Sequence, residues 1–377
     1  MAQSAAVITA DARPLRARVV AGVVSSALLP AIAIGALLEL AVFRYADMLA
    51  DRSTVVIAYK GSRVEQGRSE RVVFVGPSTA LAIDASRLQR GLTDSRSVYN
   101  YAVPNLGSNE QYYFILKKYL RFNQRPDQLV LALPPDSLLA TSGEQADPFI
   151  EEIERQRFRR FFGTWFLLTD IAPQTGRWSF VAEAAANLLP SVDYRAFIKS
   201  GTLIADLDPQ STSERLMALE RGTGSLWSVY ERNRRIVSRL EATNGQLVYN
   251  GDDVVGLFEI LRSLPPPPAA DRHTTEPIER VIDLARSAGI PVTLIFTPMC
   301  CERAARMAET GTWSLLERQV DVWAQQYQGF RFVEVGPRSY ERQFFGDPIH
   351  LNEQGARRFN AELVARASEL VARPAHR

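Results

Sequence analysis

Ser78, Asp347 and His350 are the residues of this chain whose types and placement match nucleophilic catalysis. A serine hydroxyl becomes a strong nucleophile when a base takes its proton, and the base works best when a third group orients it. Ser78 stands in Gly76-Pro77-Ser78-Thr79, directly after the apolar run of residues 71–75. That position puts its hydroxyl at the start of a helix, where free N–H groups and partial positive charge suit an oxyanion. A serine there is equally suited to be an N-cap. The base follows by elimination among three histidines. His376 lies in the C-terminal tail and His273 follows a run of prolines, whereas His350 falls in a loop before the last predicted helix. Asp347 precedes it by three residues in Gly346-Asp347-Pro348-Ile349-His350. Within one turn its carboxylate can fix the imidazole tautomer and stabilise the imidazolium. An Asp-Pro turn beside a histidine accounts for the same letters without chemistry.

Composition narrows the rest. The 377 residues carry 44 basic and 42 acidic side chains, a net charge of +2, which gives no basic excess for nucleic-acid binding. The two cysteines, Cys300 and Cys301, are adjacent, and adjacent cysteines close a disulfide only with strain. They read as inert thiols near the end of a strand. No Cys/His cluster has zinc spacing, so neither a metal nor a cofactor is expected.

The elements that must hold these groups alternate. Buried strands are predicted at 71–75, 97–103, 128–133, 290–296 and 330–335. Helices are predicted at 78–89, 111–122, 277–288, 312–327 and 354–371. This rhythm predicts an α/β domain over residues 71–372, with a mostly parallel sheet between helical layers and active residues at the carboxyl ends of strands. Residues 141–275 break the rhythm and end near four prolines (265–268), which reads as a helical insertion. Within it, residues 155–168 mix four arginines with five aromatics. That pattern fits either an interfacial helix on a membrane or a helix packed by its aromatic side.

Residues 19–38 contain no charge, follow Arg13, Arg16 and Arg18, and continue apolar to Phe43 apart from Glu39. Twenty helical residues span about 30 Å, the hydrocarbon thickness. The expectation is a cytoplasmic tail (1–18), a single transmembrane anchor (19–43), a juxtamembrane stalk (44–70) and a translocated main domain, oriented by the positive-inside tendency. A cleaved signal peptide ending near Ala31-Ile32-Ala33 and a buried core helix are the alternatives.

The segment Asp347-Pro348-Ile349-His350-Leu351-Asn352-Glu353-Gln354-Gly355 resembles the block before the last helix of SGNH hydrolases and acyltransferases, and the strand followed by Gly76-Pro77-Ser78 resembles their first block. The similarity extends loosely over 71–140 and 277–370. With the N-terminal anchor, it is similar to membrane-anchored members, the DltD-type proteins of teichoic-acid D-alanylation and the alginate O-acetylation proteins. The resemblance implies a flavodoxin-like three-layer sandwich and acyl transfer through a seryl ester of Ser78, with Asp347 and His350 completing the triad. It also implies a membrane-bound O-acyltransferase partner, an exported polysaccharide as acceptor, and a site at the outer face of a bacterial inner membrane.

Three blocks depart from the family pattern. Pro77 stands where the first block has Asp, and Pro135 where the third block has the Asn that donates to the oxyanion. Losing one such donor costs about 100- to 1000-fold in rate. For the second block, two placements fit. Either Asn100 opens it, setting Ala102 and Asn105 at glycine positions, or Asn105-Leu106-Gly107 is the block and Gly107 the donor. Backbone N–H groups of Thr79 and Gly107, or the Asn109 side chain, are the remaining candidates. Three functions are compatible: O-acyl transfer (O-acetyl above all), simple ester hydrolysis, and a catalytically silent subunit of a polysaccharide-modification complex.

Overall fold

The structure, a computed structural model, describes residues 30–37, 40, 48, 52–94, 96–104, 109–139, 148–175, 226–248 and 275–371. In chain order the first half runs α1 (Arg52–Glu65), β1 (Val72–Val75), a 3-10 turn (Ser78–Ala82), α2 (Ala85–Gly91), β2 (Val98–Asn100), α3 (Glu110–Phe122) and β3 (Gln128–Leu133). A second 3-10 turn (Pro135–Leu139) leads to α4 (Pro148–Phe166), a π turn (Leu167–Ile171), α5 (Ala172–Thr175) and α6 (Leu226–Ala242). The chain closes with α7 (Glu276–Ser287), β4 (Val292–Phe296), β5 (Met299–Cys300), α8 (Cys301–Glu309), α9 (Thr312–Gln326), β6 (Phe330–Phe332), β7 (Ser339–Tyr340), a 3-10 turn (Arg342–Phe344), α10 (Glu353–Ala365) and α11 (Ala367–Leu370).

β1 and β3 are buried at every residue, as expected of apolar, β-branched runs that a parallel sheet covers on both faces. The main sheet has the order β2-β1-β3-β4-β6, and every pairing in it is parallel. Because side chains alternate along a strand, each strand feeds two cores. Val73, Val75, Leu129, Leu131 and Leu133 pack with α3, α4, α7 and α9 on one face. Val72, Phe74, Val130 and Ala132 pack with α2, α6 and α10 on the other. The result is a three-layer α/β arrangement. The chain leaves β1 for β2 on one side and then crosses to β3 on the other, so the order reverses between β1 and β3. A crevice opens at such a switch point, outside the carboxyl ends of the strands.

Three boundaries differ from the sequence expectation. The segment read as a stalk plus a helix supplies α1, whose Val55, Val56, Ile57 and Val64 are buried, so packing begins before residue 71. The helix expected over 78–89 is a 3-10 turn and a separate α2, broken at Ile83 and recapped by Asp84, whose carboxylate accepts the Arg87 N–H at 2.9 Å. In residues 155–168 the aromatic side faces inward: Phe161, Phe162 and Phe166 are buried, Phe162 stacked on Phe166 and edge-on to Phe161, and only Trp165 among the five aromatics is exposed. The membrane-surface reading of that stretch gives way to core packing, with a kink where Gly163 takes φ 73°.

The anchor expected at 19–43 falls mostly outside the described residues. Residues 30–37 are helical and exposed, with Ile32, Ile34 and Leu37 each more than half accessible. Among the described residues no helix is long and apolar enough to cross a membrane.

Candidate active site

The turn carrying Ser78 leaves β1 through Gly76. A Cβ on Gly76 would lie 2.1 Å from the Ala132 carbonyl oxygen, so β1 and β3 approach this closely only around a glycine. The Gly76 carbonyl accepts the Val103 N–H at 3.0 Å, which brings the segment after β2 alongside the turn. Pro77 precedes the 3-10 turn with extended geometry and makes no side-chain cap. Ala80 N–H bonds the Pro77 carbonyl at 3.0 Å. The N–H groups of Ser78 and Thr79 lie ahead of the first intrahelical bond, where a helix start leaves donors for a ligand.

The three sequence candidates converge. Ser78 Oγ lies 2.8 Å from His350 Nε2, and His350 Nδ1 lies 2.6 Å from Asp347 Oδ2. Asp347 Oδ1 accepts the backbone N–H groups of Ile349 at 2.9 Å and His350 at 2.7 Å. Both carboxylate oxygens are thus engaged, and the acid cannot swing away from the ring. Burial alone would raise the Asp347 carboxyl. The adjoining imidazole and the two N–H bonds overcome that and hold it below the ordinary aspartate value. The side chains of His350 and Asp347 keep 14% and 18% accessibility, enough for a reacting group to reach the ring from the crevice.

The loop holding Asp347 and His350 is closed on itself. Gly346 N–H bonds the His350 carbonyl and Asn352 N–H bonds the Phe344 carbonyl, both at 3.0 Å. Asn352 also donates to the Gln343 carbonyl at 2.8 Å and caps α10 by accepting from Gln354 and Gly355 at 3.0 Å. Gly355 is required there, since a Cβ would fall 2.1 Å from the Phe344 oxygen. The segment therefore divides its work: Asp347 and His350 extend the hydrogen-bonded chain to Ser78, and Asn352 and Gly355 fold the loop.

Several buried amides hold the nucleophile turn, and only one of them drew attention in the sequence. Asn100 donates to the carbonyls of Ala80 at 2.8 Å and Ile83 at 3.1 Å, while its oxygen accepts the Ala102 N–H at 2.9 Å. Gln246 and Asn360 both donate to the Ala82 carbonyl at 2.8 Å, and Leu247 N–H bonds the Leu81 carbonyl at 2.8 Å. Asn360 Oδ1 also accepts the Asp84 N–H at 2.7 Å. These partners take carbonyls that a continuing α-helix would need, which is why the chain breaks at Ile83. Gln246 and Asn360 carried no motif. The signal available was a polar residue on the buried side of an otherwise apolar pattern.

The oxyanion candidates separate. Thr79 sits beside Ser78 with its N–H at the helix start, and its hydroxyl oxygen lies 3.2 Å from that of Thr297, just after β4. Ala102 N–H is committed to Asn100. Asn109 uses its side-chain amide on the Ser137 carbonyl at 2.6 Å, which ties α3 to the turn after β3. Asn105 and Gly107 lie outside the described residues. Asp136, at the end of the third block, is ion-paired with Arg303 of α8.

A scan against family models and a search of curated proteins found no match to this chain.

Proposed function

We propose that this chain is an SGNH-type serine acyltransferase that moves an O-acyl group, acetyl above all, onto an exported cell-surface polysaccharide. The observation that carries the reading is the Ser78–His350–Asp347 relay at the β1/β3 switch point. The strand order, counted along the main sheet as 2-1-3-4-5, is that of flavodoxin-like folds and supports it.

His350 Nε2 takes the proton of Ser78 Oγ as the oxygen attacks the acyl carbonyl of a donor ester. The developing oxyanion lies against the helix start, where the Thr79 N–H is available. As the tetrahedral adduct collapses, imidazolium returns the proton to the donor's leaving oxygen, and a seryl ester remains. A sugar hydroxyl then attacks that ester while His350 takes its proton, and Ser78 is regenerated when the proton returns to Oγ. Asp347 holds Nδ1–H throughout and stabilises the imidazolium. Water in place of the sugar makes the same site an esterase. Residues 19–43 anchor the chain in the bacterial inner membrane, with the α/β domain outside and a membrane-bound O-acyltransferase as acyl supplier.

The test is labelling of the full chain in detergent with a serine-reactive fluorophosphonate. Wild type should label, while folded Ser78→Ala and His350→Ala should not. Equal labelling of wild type and Ser78→Ala would remove the serine from the mechanism. Acyl mass appearing on an acceptor glycan, rather than free acid alone, would separate transfer from hydrolysis.

A further inference from the structure

The side chains of Cys300, Cys301 and Glu302 meet at the junction of β5 and α8. Cys300 Sγ lies 2.7 Å from Glu302 Oε2, and Cys301 Sγ lies 3.3 Å from the same oxygen. One thiol from each cysteine thus donates to a single carboxylate oxygen, and the three ligand atoms all lie within 4.8 Å of one another. Both thiols are free.

We propose that this cluster binds one thiophilic divalent cation of the zinc group through two thiolates and the Glu302 carboxylate, independently of Ser78. The two thiol protons occupy the place a dication would take. Binding is M2+ plus two S–H giving two M–S bonds and two released protons, with no change of oxidation state. Zinc–sulfur bonds of about 2.3 Å and zinc–oxygen bonds of about 2.0–2.2 Å put tetrahedral ligands about 3.5–3.8 Å apart. From separations of 2.7 and 3.3 Å, the thiols must therefore open from the carboxylate, Cys300 by about 1 Å and Cys301 by less. Thiolate pairs favour soft or borderline cations over magnesium and calcium. Three protein ligands leave the fourth position to water, and exposed Cys301 and Glu302 give the ion a route in.

The support is rigid. Cys300 is buried, pairs in register with Tyr340 of β7, and follows Met299, whose N–H bonds the Arg338 carbonyl at 3.1 Å. Burial and the neighbouring carboxylate push the Cys300 thiol up to about 12. Ion uptake must displace the thiol protons.

The experiment titrates the reduced full chain in detergent with Cd2+, under a phosphine reductant, following thiolate-to-cadmium charge transfer in the ultraviolet and proton release in weak buffer. The expected result is one ion per chain, about two protons released per ion, and displacement by Zn2+. The exposed Cys301→Ser variant should lose the band, and Glu302→Gln should bind at least about tenfold more weakly, the lower end of the range even for outer-sphere partners. Ser78→Ala should bind as wild type does. No band in folded wild type, an unchanged band in Cys301→Ser, or half an ion per chain would overturn the site.

Discussion

Asn100→Leu removes the buried carboxamide from the nucleophile turn at nearly constant volume. The Ala80 carbonyl keeps one partner, the Ile83 N–H at 3.1 Å, so its loss is partial. The Ala102 N–H and the Ile83 carbonyl lose the bonds measured at 2.9 and 3.1 Å. Each buried group left unpaired costs about 1–3 kcal/mol, so the variant should be about 2–6 kcal/mol less stable. Equilibrium urea unfolding measures this directly, with the midpoint falling at unchanged slope. The kinetic consequence is separate. The Ser78 hydroxyl keeps its chemistry but loses the turn that aims it at His350, so the fluorophosphonate reaction rate, normalised to folded protein, should fall well below wild type. A protein merely less stable would show the drop in folded fraction and no drop in normalised rate. Stability within about 0.5 kcal/mol of wild type, the ordinary range for an unimportant surface change, together with a normal labelling rate, would refute the argument.

Two further substitutions probe the relay and its frame. Asp347→Asn keeps the loop but holds His350 in the wrong tautomer, and by analogy with serine proteases should lower turnover about 10^4-fold, read by single-turnover acyl release. Because the folded Asp347 value lies below the unfolded one of about 3.9, its stabilising contribution is complete above that pH and fades as pH falls through the folded value. The stability gap between wild type and Asp347→Asn should therefore narrow as pH falls below about 4; a gap that does not change in stronger acid would contradict the assignment. Gly76→Ala forces a methyl against the Ala132 carbonyl and should cost more than the ~1 kcal/mol of an ordinary point change, with loss of labelling; thermal unfolding and labelling both check it.

How much of this was legible beforehand follows from range. Residues 72–75 and 129–133 are continuous apolar runs, and strands buried on both faces follow directly from that local pattern. The relay was also legible, because Asp347, His350, Asn352 and Gly355 act within one loop and Ser78 directly follows a strand. Residues 78–89 misled because helical spacing is local, whereas the break is imposed on the carbonyls of Ala82 and Ile83 by Asn100, Gln246 and Asn360, up to 278 positions away. The aromatics of 155–168 read the same whether they face lipid or core, and only packing against α1 and α3 decided it. The sequence thus determined which strands form and which side chains could join in a relay, since period and residue type are properties of short segments. The order of the strands and the meeting of Ser78 with His350 across 272 positions were decided by the tertiary structure, because burial of two sheet faces fixes contacts that no local pattern encodes.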